Sequence, residues 1–267
     1  MKYCALIILL CGLLACGDTA TATEADAGAE TDAMADGTAA VTDSVTIHPI
    51  FHAGVVLTRG EQTLFIDPYD GAERYADYGA PDLVLITHTH PDHLDSATLA
   101  GIDISRAVLV APQAVADNLG GLSFGEVVVL ENDDNYSWEG IEVAAIAMYN
   151  LPKAEDAFHP PGKFNGYVVD FGDDDLTGGR YYFAGDTEDI EEMRNLEDID
   201  VAFVPMNLPY TMPVERAADG VLAFAPRVVY PYHYRNQDET KSDIEEFGRL
   251  VAAGNGDIEV RLEDWYR

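Results

Sequence analysis

The chain reads as an α/β protein. Short runs rich in Val, Ile, Leu and aromatic residues recur along it, and segments with helical periodicity fall between several of them. Its 267 residues are 48% hydrophobic, enough for one sizeable core, and a second complete domain is not expected.

The N-terminal segment stands apart from that core. Lys2 precedes "ALIILLCGLLA", an apolar run too short to span a bilayer comfortably and followed at once by small and polar residues, as in an export signal. "LLAC", Leu13 to Cys16, resembles the lipobox cut by lipoprotein signal peptidase. That resemblance implies that Cys16 becomes the lipidated first residue of the mature protein. Gly17 rather than Asp after it favours the outer membrane, facing the periplasm or the cell surface. An ordinary secretory signal or an uncleaved anchor is the alternative. All three cysteines, Cys4, Cys11 and Cys16, lie here, so the domain has no thiol for a disulfide or a soft-metal site.

Residues 17–44 are built from Ala, Thr, Asp, Glu and Gly, with no aromatic residue and no base. They cannot bury enough apolar surface to offset the entropy of ordering them, and are expected to form a solvated tether. Seven of the chain's 48 acids lie in it, and the domain from residue 45 to 267 still carries a net charge of −27. Such a field repels nucleic acid and anionic lipid, so neither is an expected partner.

From Val45 the strand-like runs are "VTIHPIFH", "GVVLTRG", "QTLFID", "DLVLIT", "AVLVA", "EVVVL", "IEVAAIAM", "NGYVVDFG", "RYYFAG", "VAFVP", "RVVYPY" and "DIEVRL". Helical patterns fall at about 94–100, 111–119, 188–195, 214–224 and 240–253. "TRGEQ" at Thr58 to Gln62 and "GDDDLTGG" at Gly172 to Gly179 predict hairpins through Gly- and Asp-rich turns.

"LITHTHPDHLD", residues 85–95, gathers three of the chain's seven histidines. His88 and His90 follow a buried-strand run; two residues apart in extended chain, they project to the same side and can grip one cation. Pro91 breaks the strand. Asp92 and His93 are then expected to open the next helix with their side chains turned from the first pair, where a second cation could be held. Crowded imidazoles without a cation would share buried space and repel when protonated, which argues against a purely structural cluster.

Three further candidates show a related grammar. Asp186 ends "RYYFAGD", His233 ends "RVVYPYH", and His159 precedes a strand in the loop stiffened by Pro160 and Pro161.

In these motifs the chain resembles the metallo-β-lactamase-fold hydrolases over nearly all of Val45 to Arg267. "HTHPDH" is similar to that family's HxHxDH signature, "FIDP" to the strand-and-Asp element before it, "GD" at Gly185 and Asp186 to its bridging-aspartate motif, and His233 to its last metal histidine. The resemblance implies a four-layer αββα sandwich with a dinuclear metal site at one edge of the sheets. It also implies that His88, His90 and His159 bind one ion, Asp92, His93 and His233 the other, and that Asp186 bridges them.

Departures from other branches narrow the expectation. Zinc β-lactamases lack the bridging aspartate, flavodiiron proteins carry an acid where His90 stands, and glyoxalase II places its third histidine in a GHTxG turn. The chain also lacks room for the extra domain of the RNA-processing branch. The likeness is greater to the subgroup holding ascorbate-6-phosphate lactonase and the phospholipase D that cleaves N-acyl phosphatidylethanolamine.

The expected activity is therefore metal-dependent hydrolysis of a lactone, ester or phosphodiester by a hydroxide shared between two divalent ions. Zn2+ is preferred, with Mn2+ or Fe2+ possible for imidazole and carboxylate donors. Asp92 would carry the water's proton to the leaving group. A small-molecule substrate is expected, with the membrane as partner through Cys16. His52, Lys163, Asn207, Tyr210 and Arg235 are candidate substrate residues, and His48 is assigned to structure. A scaffold that has lost catalysis is the alternative, but it would be expected to have drifted in at least one of the seven ligand positions.

Overall fold

The computed structural model describes residues 44–172 and 178–267. The expected signal with Cys16, and the tether apart from Ser44, lie outside the described residues, as does the tip of the Gly172 to Gly179 turn.

Thirteen strands form two sheets among the described residues. The first, in order β1-β2-β3-β4-β5-β6, comprises β1 Thr46–Phe51, β2 Gly54–Arg59, β3 Gln62–Ile66, β4 Leu83–Leu85, β5 Val108–Ala111 and β6 Glu126–Val129. It begins as an antiparallel meander and turns parallel from β3 onward. The second runs β13-β12-β11-β10-β9-β8-β7, from β7 Asn135–Trp138, β8 Ile141–Met148, β9 Phe164–Asp170 and β10 Arg180–Phe183 to β11 Val201–Pro205, β12 Val228–Tyr232 and β13 Glu259–Val260. It repeats the pattern, antiparallel through β10 and parallel beyond.

Alternation along the strands builds the layers. In the first sheet Val55, Leu57, Leu64, Ile66, Leu83, Leu85 and Val110 face the second sheet, while Val56, Phe65, Val84 and Leu109 face the opposite way. Both faces are apolar, so both are covered. The outward face meets Tyr75 of a 3-10 helix at Ala72–Tyr78, Leu99 of α1 Ser96–Ala100 and Val115 of α2 Gln113–Ala116. Helices α3 Glu191–Arg194, α4 Val214–Phe224 and α5 Ile244–Gly254 join the second sheet's core through Met193, Val221, Phe224, Phe247 and Val251. The result is the four-layer αββα sandwich.

The hairpin at Thr58 to Gln62 forms with Arg59 opposite Gln62, and Gly60 at φ 57 supplies the left-handed step. Strands β9 and β10 pair antiparallel with Arg180 opposite Asp170, as the second hairpin requires. Two elements differ from the sequence reading by addition. Strand β7, "NYSW", alternates as a strand should but over only four residues, too few to stand out, and the 3-10 helix has no apolar period. Helix α1 is a correction: it opens at Ser96, where the Asp95 carboxylate accepts from the backbone of Ala97 and Thr98. Asp92 and His93 therefore belong to a preceding turn, in which His93 and Leu94 N–H donate to the carbonyl of His90.

Candidate metal centre

Every strand that delivers a site residue ends at the same edge of the sandwich. Asp67 follows β3, His88 follows β4 by three residues, Asp186 follows β10, Asn207 follows β11 and His233 follows β12. The carboxyl ends of parallel strands are where an open α/β sheet places its ligands. His52 sits in the tight turn between β1 and β2, and His159 in the loop before β9. Asp67, His52 and His233 all take positive φ, at 43°, 60° and 44°. For residues with a Cβ this is strained backbone that the surrounding contacts must hold. Gly185 at φ 61 is obligatory in a different way, since a Cβ there would lie 2.5 Å from Met148 Sδ.

These elements bring all seven sequence candidates together. His88 Nε2 lies 3.1 Å and His159 Nε2 3.2 Å from His90 Nδ1. Asp186 lies between the two sides: Oδ1 is 3.4 Å from His93 Nε2 and 3.3 Å from His233 Nε2, and Oδ2 is 3.7 Å from His159 Nε2. Asp92 Oδ2 is 3.4 Å from His233 Nε2. His93 is less averted than its place in sequence implies, with its ring centroid 4.0 Å from that of His88. Three groups could hold an ion: His88, His90 and His159; His88, His93 and Asp186, which shares His88 with the first; and His52, Asp92 and His233.

Proton accounting shows what the cluster lacks. Thr87 donates its hydroxyl proton to Asp67 Oδ2 at 2.6 Å, so its oxygen accepts from His88 Nδ1 at 3.0 Å. Asp67 Oδ2 accepts from His93 Nδ1 at 2.8 Å. Asn150 donates its amide to the carbonyl of Tyr210, leaving Oδ1 to accept from His159 Nδ1 at 3.1 Å. With their protons on Nδ1, neutral His88, His93 and His159 all turn bare Nε2 lone pairs inward. His93 Nε2 and Asp186 Oδ1 are buried without a hydrogen-bond partner. Electron-rich atoms this close in a buried site need a proton or a cation between them. Metal–nitrogen bonds of about 2.1 Å at a tetrahedral angle would separate two donors by roughly 3.4 Å, near the spacings seen.

The ionisation preferences express the same demand. Burial pushes His88 well below the ordinary imidazole range, and holds His159 down to about 4. Burial also opposes charge on His93, yet the carboxylates of Asp186 and Asp67 win and hold it well above that range. Burial likewise opposes ionised Asp92, but hydrogen bonds from His233 and His52 keep its carboxyl far below the usual range.

A cavity of about 460 Å³ opens onto this centre, lined in part by His52, Asp92, Asn207, Tyr210, His233 and Arg235. A larger cleft of about 640 Å³, around Arg180 and Arg227, lies at the opposite strand ends and away from the cluster. Four of the five substrate candidates thus reach the cavity. Lys163 does not: it is exposed, its ammonium lies 5.3 Å from the Phe164 ring centre, and it is absent from the lining. Proximity in sequence to His159 does not bring it to the cavity, because its ammonium turns to the Phe164 ring instead. His48 bonds Thr58 across β1 and β2 at 3.1 Å. Thr87, Asn150 and Tyr266, which hold the site histidines, carried no sequence signal; Asp67 did, through "FIDP".

The fold and these donor clusters define a metal-dependent hydrolase of the metallo-β-lactamase fold. A family described as "Beta-lactamase superfamily domain" matches residues 46–233, and the chain belongs to that superfamily. It is 30% identical over 202 residues to a UPF0173 metal-dependent hydrolase of Pyrococcus abyssi, covering 72% of this chain and 86% of that one. A metal-dependent hydrolase of Deinococcus radiodurans is 30% identical over 229 residues, covering 82% and 96%. The crystal structure of a metal-dependent hydrolase from Parabacteroides distasonis superposes with a TM-score of 0.69 at 35% identity, covering 82% of this chain and 92% of that one.

Proposed function

We propose that the chain holds two divalent ions, Zn2+ before Mn2+ or Fe2+, and hydrolyses a small lactone, ester or phosphodiester. The carrying observation is the inward set of bare imidazole nitrogens around Asp186, whose protons are committed elsewhere. His88, His90 and His159 would hold one ion, Asp92, His93 and His233 the other, with Asp186 between. Bound there, the ions would supply hydroxide near neutral pH and polarise the scissile bond.

The chain's own groups do the rest. Of the two ligand candidates that line the cavity, Asp92 and His233, Asp92 has the more exposed side chain, 33% against 2%, so it takes up the water's proton and returns it to the leaving group. Arg235 presents a guanidinium at the cavity wall, suited to a carboxylate or phosphate on the substrate. Asn207 and Tyr210 shape the remaining wall. Cys16 would anchor the domain by lipid to the outer membrane, and exchange of Cys16 for Ser should move the protein from the membrane to the soluble fraction.

Elemental analysis of the purified chain, followed by a screen of lactones, esters and phosphodiesters with wild type and Asp186→Ala, tests the proposal. Two ions per chain and a turnover lost in the variant are expected. A folded wild type that takes up no ion removes it.

A further inference from the structure

We infer that Tyr266, far from the ligand motifs in sequence, is a positioning residue of the metal centre that acts through His52 on Asp92. The inference rests on reading Asp92 as a ligand.

Hydrogen-bond direction carries the argument. The ionised Asp92 carboxylate can only accept, so His52 Nε2–H donates to its Oδ2 at 3.1 Å. His52 Nδ1 is then bare in the neutral ring. Tyr266 O–H donates to it at 3.0 Å, and the same phenol oxygen accepts from the backbone N–H of Arg235 at 3.1 Å. Each proton has one place, and the chain of donors runs in one direction from Arg235 to Asp92. Reversing the His52 tautomer would set a bare nitrogen against the carboxylate.

Tyr266 is itself held from several sides. Trp265, 1% exposed, packs on Phe203 and Tyr232 and anchors the segment. The Tyr266 ring meets Phe51 and Tyr234 edge-on, and the Arg235 guanidinium lies 4.3 Å from its centre. His52 receives a second tether, its carbonyl accepting from His233 N–H at 3.1 Å. Its positive φ of 60 persists under these constraints.

The consequence falls on Asp92, which sits in a turn with its side chain partly exposed. Without His52, nothing but His233 holds the carboxylate toward the centre. With the relay in place, one rotamer is selected before any ion arrives. Outer groups that orient ligands in this way typically change metal affinity by about 10–100-fold.

Full-length wild type, Tyr266→Phe, His52→Ala and the double variant are titrated with Co2+, followed by visible absorption and calorimetry. Tyr266→Phe keeps the ring and removes only the hydroxyl. It should lower the metal-free melting temperature only modestly for the two lost hydrogen bonds, keep the affinity for the first ion, and weaken the second ion by about 10–100-fold. The double variant should bind no more weakly than His52→Ala alone, because the phenol acts only through that imidazole. A second ion bound by Tyr266→Phe as by wild type overturns the inference, as does full additivity of the two losses. Wild type that takes up no Co2+ removes both this inference and the two-ion reading beneath it.

Discussion

The two sides of the centre are built differently. His88 and His159 are fully buried, and each imidazole is fixed through its Nδ1 by a neighbour that is itself buried, Thr87 for one and Asn150 for the other. Across Asp186, Asp92 and His52 border the cavity, with side chains 33% and 12% exposed, and their orientation depends on the distant Tyr266. The contrast lies in Asp92 and His52 alone, since His93 and His233 on that side are as buried as His88 and His159, and His90 on the first side is only half-buried. The difference teaches that, on the two-ion proposal, the inner side would retain its ion while Asp92 on the outer side could exchange protons with solvent.

The largest test removes the inner side. His88→Ala should abolish ion binding there and bring turnover to the metal-free rate, as elemental analysis and assay would show; retention of both ions would break the distinction. Staged chelation should then withdraw one ion before the other, the outer first, in metal content followed against chelator concentration. Simultaneous loss would mean the two sides are energetically alike.

Acid should act on the metal-free protein through both sides. Burial lowers His52 and His159 from 6.5 to about 4 in the folded state. Their contribution is therefore complete above pH 6.5 and declines as the unfolded chain takes up protons that the folded one refuses, down to about pH 4, by on the order of a few kcal/mol. His93, raised, contributes oppositely, losing stability as pH climbs through its folded value. Urea midpoints at pH 7, 5.5 and 4.5 should fall in that order; a midpoint rising on acidification would show that His93 dominates.

A smaller effect sharpens the inner side alone. Asn150→Ala frees the His159 ring and should weaken the inner ion by about 10–100-fold, read by titration, with the outer ion little changed. The smallest expected effect is none. Lys163→Ala should leave kcat and KM unaltered, and a raised KM would bring that lysine back to the substrate.

Much of this was legible in the sequence because the fold delivers its site at strand ends. Runs such as "DLVLIT" and "RYYFAGD" announce both the strand and the residue that follows it, so His88, Asp186 and the α/β class could be read together, while the αββα layering came only with the family resemblance. Strand β7 was not legible because its polar-apolar alternation, with Tyr136 and Trp138 turned to the core, lasts only four residues. The turn holding Asp92 and His93 does not open the helix, because Asp95 is the residue that caps it. Tyr266 was out of reach altogether: its bond to His52 spans 214 positions, and no local pattern encodes a contact of that range.

Three side chains of the centre stand on left-handed backbone, at Asp67, His52 and His233. The pleat of the sheets therefore does not aim them; each is redirected by a single twisted peptide at the point where its strand stops. Transplanting these side chains onto an idealised barrel or sandwich would misaim the donor His233 and the two groups that hold His93 and Asp92 unless those three kinks travelled too. What is inherited in such a site is a set of backbone bends as much as a set of side chains.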